Sequence, residues 1–282
     1  MARITLLGGA LDGLELHYTT VGRGPATLLI HGLGGFAESW RYTIDALASH
    51  GTVIAFDLPG FGQSAKPSGT YDLPFFAQAV DGLLRALQVD RVRIVGHSLG
   101  SGVAIAFTLA YPSRVERLAL LSPTVPGFPL NPSVVYRILS LRGVGELLCT
   151  FVTRRICALA LQRCLATPRP EEVEFLVDHE YAVRTTREGR AAYLATLRGV
   201  RQDFVGRATA YRAALAGWRR GLLLVHGRQD RVVSAAHVAA AIDGIPHVEA
   251  RWLDRCGHFP QIEYPSMVNA WLQDFLFAAT SR

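Results

Sequence analysis

The chain has 282 residues, of which 50% are hydrophobic and 18% are charged, a balance that excludes intrinsic disorder and predicts a compact protein with a large apolar interior. The formal net charge is +6, but the basic residues do not form a stripe with aromatic residues between them, which argues against a nucleic-acid-binding protein.

The N-terminus and the cysteines indicate the compartment. Residues 1–10 contain one arginine and only a short apolar patch, so they lack the hydrophobic region of a signal peptide. No uncharged apolar stretch is long enough to span a bilayer, and we predict a cytoplasmic protein without a membrane span. The cysteines, at positions 149, 157, 164 and 256, are too dispersed for a metal site or a disulfide scaffold, so we expect reduced thiols.

Six short apolar runs predict buried strands, because each is bounded by glycine, proline or charged residues. They span residues 27–30, 52–56, 92–95, 118–121, 222–226 and 248–253. Helical patterns lie among them at residues 39–49, 73–88, 99–110, 235–242 and 265–277. This alternating order predicts an α/β fold with a mostly parallel central sheet flanked by helices.

The alternation stops between residues 125 and 212, where helical periodicity dominates and no strand pattern is present. We interpret residues 125–212 as a helical lid inserted into a core formed by residues 1–124 and 213–282. The insertion carries 13 arginines and 8 acidic residues, a net charge of +5. We expect the apolar residues of 134–165 to face the site and the arginines to face solvent. In the alternative, the arginines attract an acidic substrate or make peripheral contact with an anionic membrane surface.

Residues 96–100 read Gly-His-Ser-Leu-Gly and stand between an apolar strand and an apolar helix. The flanking glycines allow the sharp turn that lifts the Ser98 hydroxyl clear of the sheet and points a helix start at the reacting carbonyl. The match is weak evidence alone, but this strand-turn-helix context is the one that a nucleophilic serine requires. We predict a nucleophile at Ser98, the alternative being a glycine-rich turn whose serine caps the helix.

A serine hydroxyl needs a general base, and the base needs a carboxylate that orients it; in this fold class the acid and then the histidine follow the serine. We predict Asp230 as the acid and His258 as the base, because each comes just after a predicted strand, where parallel sheets gather functional groups. Asp254 competes with Asp230, and His237 and His247 compete with His258.

The negative oxygen formed during attack on a carbonyl needs backbone N–H donors, commonly one after the nucleophile and one in an early loop. Leu99 follows Ser98 and supplies the first donor. Leu33 lies in the glycine-rich segment 31–35, directly after the predicted strand 27–30, and supplies the second. The alternative for this segment is a connecting turn without a further role.

Five segments in family order make the chain resemble the α/β-hydrolase superfamily along almost its whole length. They are residues 31–35, 57–64, 96–100, 227–230 and 257–260. The resemblance implies the α/β-hydrolase fold and a small-molecule acyl substrate, and we place Phe259 and His97 among the residues that bind it. No metal or organic cofactor is expected, because the triad supplies nucleophile, base and charge stabilisation.

The reaction class stays open at this point. Relatives that dehalogenate or open epoxides carry aspartate at the nucleophile position, so Ser98 argues against both reactions. We predict a serine hydrolase that cleaves a carboxylic ester, lactone or thioester of a small to medium apolar substrate through an acyl-enzyme. The alternatives are a carbon-carbon bond hydrolase of the meta-cleavage type and a non-catalytic receptor for a small ligand. Carbon-carbon hydrolases typically carry tryptophan where this chain has Phe259. They also carry an arginine in the lid, but the lid of this chain has too many arginines for the sequence to indicate which one would correspond.

Overall fold

The computed structural model describes residues 1–125, 134–243 and 245–278. Eight strands form one sheet in the order β1-β2-β4-β3-β5-β6-β7-β8. The strands are β1 (Ala2–Thr5), β2 (Glu15–Val21), β3 (Ala26–Ile30), β4 (Thr52–Phe56), β5 (Val92–His97), β6 (Val115–Leu121), β7 (Leu222–Gly227) and β8 (Val248–Leu253). Strands β3 to β8 are parallel to one another, whereas β2 is antiparallel to β1 and β4, so the predicted mostly parallel sheet is confirmed.

Helices connect the strands and cover both faces of the sheet. They are α1 (Arg41–Ala48), α2 (Leu73–Ala86), α3 (Leu99–Ala110), α4 (Val134–Leu139), α5 (Val144–Thr150), α6 (Arg154–Cys164), α7 (Pro170–Arg184), α8 (Arg187–Gly206), α9 (Ala208–Gly217), α10 (Ala235–Ile242), α11 (Pro260–Glu263) and α12 (Pro265–Phe277). Within the described residues, no helix is both long enough and apolar enough to cross a membrane.

The central strands are buried on both faces, which is why they read as continuous apolar runs. Along β3, Leu28 and Ile30 belong to a cluster that includes α2 and α3, whereas Leu29 belongs to a second cluster that includes α1 and α12. Successive side chains of a strand point to opposite faces, so one apolar run supports two helical layers. This sandwich holds the carboxyl ends of the parallel strands at one edge of the molecule.

Helices α4 to α9 lie between β6 and β7, where the sequence predicts inserted helices; the predicted residues 126–133 of that insertion lie outside the described residues. Helix α9 packs against α3 and returns the chain to β7, and the predicted boundary at residue 212 lies inside it. Helices α6 and α7 contribute Leu161 and Val177 to an apolar cluster with Phe36, which precedes α1, and Ile262 of α11.

Many of the apolar residues of 134–165, which the sequence predicts to face the site, are exposed to solvent and do not pack in a core. Nine large hydrophobic side chains between Val135 and Leu159 are exposed to solvent. This stretch forms three short helices, and each can turn only one face inward, with Leu139, Cys149 and Cys157 buried. The remaining apolar side chains are therefore exposed, as are Arg137, Arg142 and Arg155 of the same stretch.

Candidate active site

Ser98 lies in a strained turn between β5 and α3. Its backbone has φ 53° and ψ −117°, a conformation that costs a non-glycine residue about 1–3 kcal/mol. The surrounding structure fixes the turn, since the Ser98 N–H donates to the Leu121 carbonyl at 2.9 Å and the Ser98 carbonyl accepts from the Thr124 hydroxyl at 3.0 Å. The side chain thus stands at the carboxyl edge of the sheet.

Two glycines allow this turn because backbone atoms occupy the space of a side chain. A Cβ on Gly100 would lie 2.2 Å from the Ile30 carbonyl oxygen, and one on Gly96 would lie 2.5 Å from the Gly100 carbonyl oxygen. We therefore expect Gly100→Ala to destabilise the protein by about 3 kcal/mol or more, since only a backbone shift relieves the overlap. Urea unfolding measures this, and Gly206→Ala, which meets no atom within 4 Å, is the matched control.

The structure brings Ser98, His258 and Asp230 together from the ends of three strands. The Ser98 Oγ lies 2.9 Å from His258 Nε2, and His258 Nδ1 lies 2.7 Å from Asp230 Oδ2. All three side chains are buried. A carboxylate at Nδ1 keeps the proton on that nitrogen, which leaves Nε2 free to accept the serine proton.

Asp230 is held as a carboxylate in spite of its burial. Its Oδ1 accepts the N–H groups of Val232 at 2.7 Å and Val233 at 2.9 Å. Burial by itself raises the pKa of Asp230, but His258 and these N–H groups outweigh that effect, and the net pKa is below its ordinary value. The competing Asp254 is 82% exposed and pairs with Arg228 at 3.1 Å.

The competing histidines lie elsewhere. His237 is in the first turn of α10, and His247 precedes β8 with φ 62°. The histidine that contacts Ser98 is His258. Among the described residues, no group of three or more His, Cys, Asp or Glu side chains is arranged to hold a metal ion.

The loop of residues 31–35 lies directly against the serine, since a Cβ on Gly32 would be 3.0 Å from Ser98 Cβ. The Gly32 carbonyl accepts from His31 Nδ1 at 2.7 Å and from the Gly35 N–H at 3.0 Å. Leu33 N–H belongs to the same peptide unit and points the opposite way, because the unit is planar and trans. Leu99 begins α3, and the first N–H groups of a helix have no partner within the helix.

His97 and Phe259 pack beside the histidine loop. The two rings are 4.9 Å apart, and His97 Nε2 lies 2.7 Å from the His258 carbonyl oxygen, which makes Nε2–H the donor. Burial lowers the pKa of His97 to about 3, so the ring is neutral. His97 thus contacts the backbone of His258, a contact that the sequence did not indicate.

A carboxylate that the sequence did not single out joins the His258 loop to the inserted helices. Glu263 accepts the N–H groups of Gly257 and Ala166, each at 2.8 Å. Beside it, the His258 N–H donates to the Cys164 carbonyl at 2.7 Å. The backbone around His258 is therefore bonded to the loop between α6 and α7.

A partly buried ion pair on α7 lies beside the loop of residues 31–35. Arg184 Nη1 lies 2.8 Å from Glu180 Oε1, and the Arg184 side chain is only 13% exposed. A Cβ on Gly34 would lie 3.2 Å from the Glu180 carboxyl carbon, so the pair borders residues 31–35. Burial raises the pKa of Glu180, and the neighbouring Arg184 opposes that effect. Sequence periodicity did not separate Arg184 from the other arginines of the insertion.

Buried neutral histidines make the protein sensitive to acid. Burial lowers the pKa of His226 to about 4, below the ordinary 6.5, so the unfolded chain binds its proton first. Stability is therefore fully present above pH 6.5 and is lost as pH falls toward about 4. We expect His226→Gln to reduce this loss by up to about 3 kcal/mol. Urea unfolding at neutral and acid pH tests it, with exposed His50→Gln as control; equal acid sensitivity in both variants contradicts the assignment.

The alpha/beta hydrolase fold model matches residues 25–265. The chain belongs to this family. It is 30% identical to the 2-hydroxy-6-oxononadienedioate/2-hydroxy-6-oxononatrienedioate hydrolase of Paraburkholderia phymatum, over 97% of this chain and 94% of that protein. The 2-hydroxy-6-oxo-6-phenylhexa-2,4-dienoate hydrolase structure from Rhodococcus sp. aligns with TM-score 0.80 and 26% identity, covering 94% of this chain and 95% of that one.

A thermophilic esterase from Thermogutta terrifontis is also similar in structure, with TM-score 0.83 over 98% of both chains and 23% identity. At that identity the likeness shows the fold alone. The family match and the similarity to the named 2-hydroxy-6-oxo hydrolases support a hydrolase, and neither fixes the bond that this chain cleaves.

Proposed function

We propose that the chain is a serine hydrolase that cleaves a carboxylic ester, lactone or thioester of a small to medium apolar substrate. The observation that carries this proposal is the continuous hydrogen-bonded line from Ser98 Oγ through His258 to Asp230. Serine, histidine and carboxylate in this geometry activate a hydroxyl for attack on a carbonyl carbon. The strained turn at Ser98, which has a cost in stability, adds support because such strain concentrates at functional sites.

In the proposed mechanism, Ser98 Oγ bonds to the carbonyl carbon while its proton moves to His258 Nε2. The carbonyl oxygen becomes negative and accepts the N–H groups of Leu33 and Leu99. The bond from the carbonyl carbon to the leaving oxygen, or to sulfur in a thioester, then breaks, and the leaving group takes the proton from His258. Water loses a proton to the same nitrogen and bonds to the acyl carbon; the bond from that carbon to Ser98 Oγ then breaks, and His258 returns the proton to Oγ. Asp230 keeps its charge throughout and stabilises the imidazolium.

We further propose that residues 125–212 act as a lid over this site and that residues 1–124 and 213–282 form the core. Glu180 borders the oxyanion loop, and the Cys164 carbonyl accepts the His258 N–H. Phe259 lies between His97 and the apolar cluster of α6 and α7, so it is the aromatic side chain we assign to substrate contact. His97, with its Nε2 bonded to the His258 carbonyl, acts on substrate through the position of His258.

A carbon-carbon bond hydrolase is the second candidate, and Arg184 is the observation that favours it. An anionic diketone substrate needs a cation near the oxyanion loop, and Arg184 is a buried one. The related proteins named for dienoate and dienedioate hydrolysis point the same way. Glu180, however, already neutralises Arg184, which leaves the pair with no net charge and favours a neutral carbonyl substrate.

Labelling with a fluorophosphonate and hydrolysis of p-nitrophenyl esters test the proposal. We expect intact-mass labelling of the wild type and none of Ser98→Ala, with ester turnover lost in the same variant. The matched control is Ser101→Ala, whose hydroxyl donates to the Gly96 carbonyl and lies outside the line to His258. Labelling without ester turnover, together with cleavage of a meta-cleavage dienoate, would move the assignment to the second candidate. No labelling would contradict both.

A further inference from the structure

Nine large hydrophobic side chains of α4, α5, α6 and the turns between these helices are exposed. We call this set of side chains the outer face; it consists of Val135, Ile138, Leu141, Val144, Leu147, Leu148, Phe151, Ile156 and Leu159. The sixteen exposed large hydrophobic side chains of the described chain include all nine of these, within 25 residues of sequence. A helix at the surface of a soluble protein normally carries polar residues opposite its buried side. This concentration of exposed hydrophobic side chains therefore indicates a surface that contacts an apolar partner.

The unpaired charges of α4, α5, α6 and the turns between them have one sign, whereas Arg154 of α6 pairs with Glu174 and Asp178 of α7. Arg137, Arg142 and Arg155 are exposed and have no carboxylate partner among the described residues. The acidic residue of these three helices, Glu146, accepts from Arg198 at 2.7 Å and 3.0 Å, so its charge is already matched. The outer face therefore combines apolar side chains with unmatched positive charge.

We propose that the outer face binds an anionic lipid surface. Short helices with apolar side chains on one side and arginines at the margin lie in the plane of a membrane interface, where the side chains enter the acyl region and the guanidinium groups meet the headgroups. The positive charge of the exposed arginines favours an anionic lipid surface over a second copy of the chain as the partner. A twofold contact between two outer faces would bring like-charged arginines together, whereas an anionic headgroup complements them.

Helix α6, which carries Ile156 and Leu159 of the outer face, reaches the His258 loop. Helix α6 ends at Cys164, whose carbonyl accepts the His258 N–H. Lipid bound to α4, α5 and α6 would thus lie close to the loop that contacts the reactive residues. An apolar substrate dissolved in the bilayer would be concentrated beside the lid. Lipid binding goes beyond the proposed function and does not depend on it.

Vesicle flotation of the purified full chain tests the proposal. We expect the wild type to float with vesicles of equal parts phosphatidylglycerol and phosphatidylcholine, and to remain unbound with phosphatidylcholine alone. Leu147→Ser with Phe151→Ser, and separately Arg137→Glu with Arg142→Glu, are each expected to weaken binding about tenfold or more. The matched control is Leu7→Ser with Val205→Ser, which removes two equally exposed hydrophobic side chains outside the outer face, at 76% and 79% exposure.

Three results would overturn the proposal: no flotation of the wild type, equal loss of flotation in the control, or a wild-type dimer that Leu147→Ser with Phe151→Ser dissociates while no vesicle binding occurs. The last result would assign the outer face to a second copy. Fluorophosphonate labelling in buffer, expected to be unchanged in every variant, shows that the variants are folded. Flotation without labelling of the wild type would contradict the proposed function and leave the lipid surface supported.

Discussion

Replacing Asp230 by asparagine is expected to lower kcat for a p-nitrophenyl ester about 10⁴-fold. Asparagine preserves the shape of the side chain, and its amide oxygen can still accept the Val232 and Val233 N–H groups. Its NH₂ group, however, would then face His258 Nδ1 and place the imidazole proton on Nε2. In that tautomer His258 cannot accept the Ser98 proton.

Asp254→Asn is the matched control for this experiment. Asp254 is the rival acid in the sequence, yet it is largely exposed and its carboxylate pairs with Arg228. We expect kcat to stay within about twofold of wild type, because exposed ion pairs contribute little. A large loss in Asp254→Asn together with a small loss in Asp230→Asn would contradict the assignment of the acid.

Replacing Glu263 by alanine is expected to lower kcat about 100-fold with little change in KM, because small displacements of a catalytic group have effects of this size. The carboxylate accepts from Gly257, next to His258, and from Ala166 in the loop after α6. Without it, two largely enclosed N–H groups lose their acceptor and the His258 backbone is held to the loop only by the bond to Cys164. Glu263→Gln, which retains one acceptor oxygen, is expected to lie between wild type and alanine.

Trypsin sensitivity separates this positioning role from general destabilisation. Exposed Arg163 precedes the loop that Glu263 holds, so we expect faster cleavage after Arg163 in Glu263→Ala, without a matching rise at other arginines. Glu249→Ala is the control, since Glu249 is exposed on β8 and pairs only with Arg251. Unchanged kcat in Glu263→Ala, or cleavage that rises equally at all sites, would argue against the positioning role.

The sequence predicts the parallel part of the sheet and misses its antiparallel edge. Strands β3 to β8 and helices α2, α3, α10 and α12 are found where their patterns predict them. Strands β1 and β2 lie at the antiparallel edge, and four-residue β1 has no buried side chain. Without an apolar run or a clean alternation, such strands carry little signal.

The reactive residues could be predicted because they follow strands and carry distinctive neighbours, as Ser98 does between two glycines. The contacts of Glu263, Glu180 and His97 could not, since each depends on backbone atoms that are distant in sequence. Glu263 reaches Ala166 across 97 positions, and His97 reaches the His258 carbonyl across 161. A pattern of neighbouring residues in the sequence does not indicate such a contact. The exposure of apolar side chains on α4 to α6 was not predicted for a related reason, since periodicity shows that a helix has an apolar side but not what covers it.

The path of the chain between β6 and β7 has a consequence for how such enzymes diversify. Parallel strands need a crossover, and α9, packed against α3, already provides it. Helices α4 to α8 are an extension of a connection that the sheet requires in any case. Apart from the loop after α6, which bonds to His258 and Glu263, they can lengthen, shorten or be exchanged by recombination without altering strand order or the turn at Ser98. Under the lid proposal, selection on the accepted substrate can therefore act on the rest of this segment, while the reactive residues are inherited with the sheet.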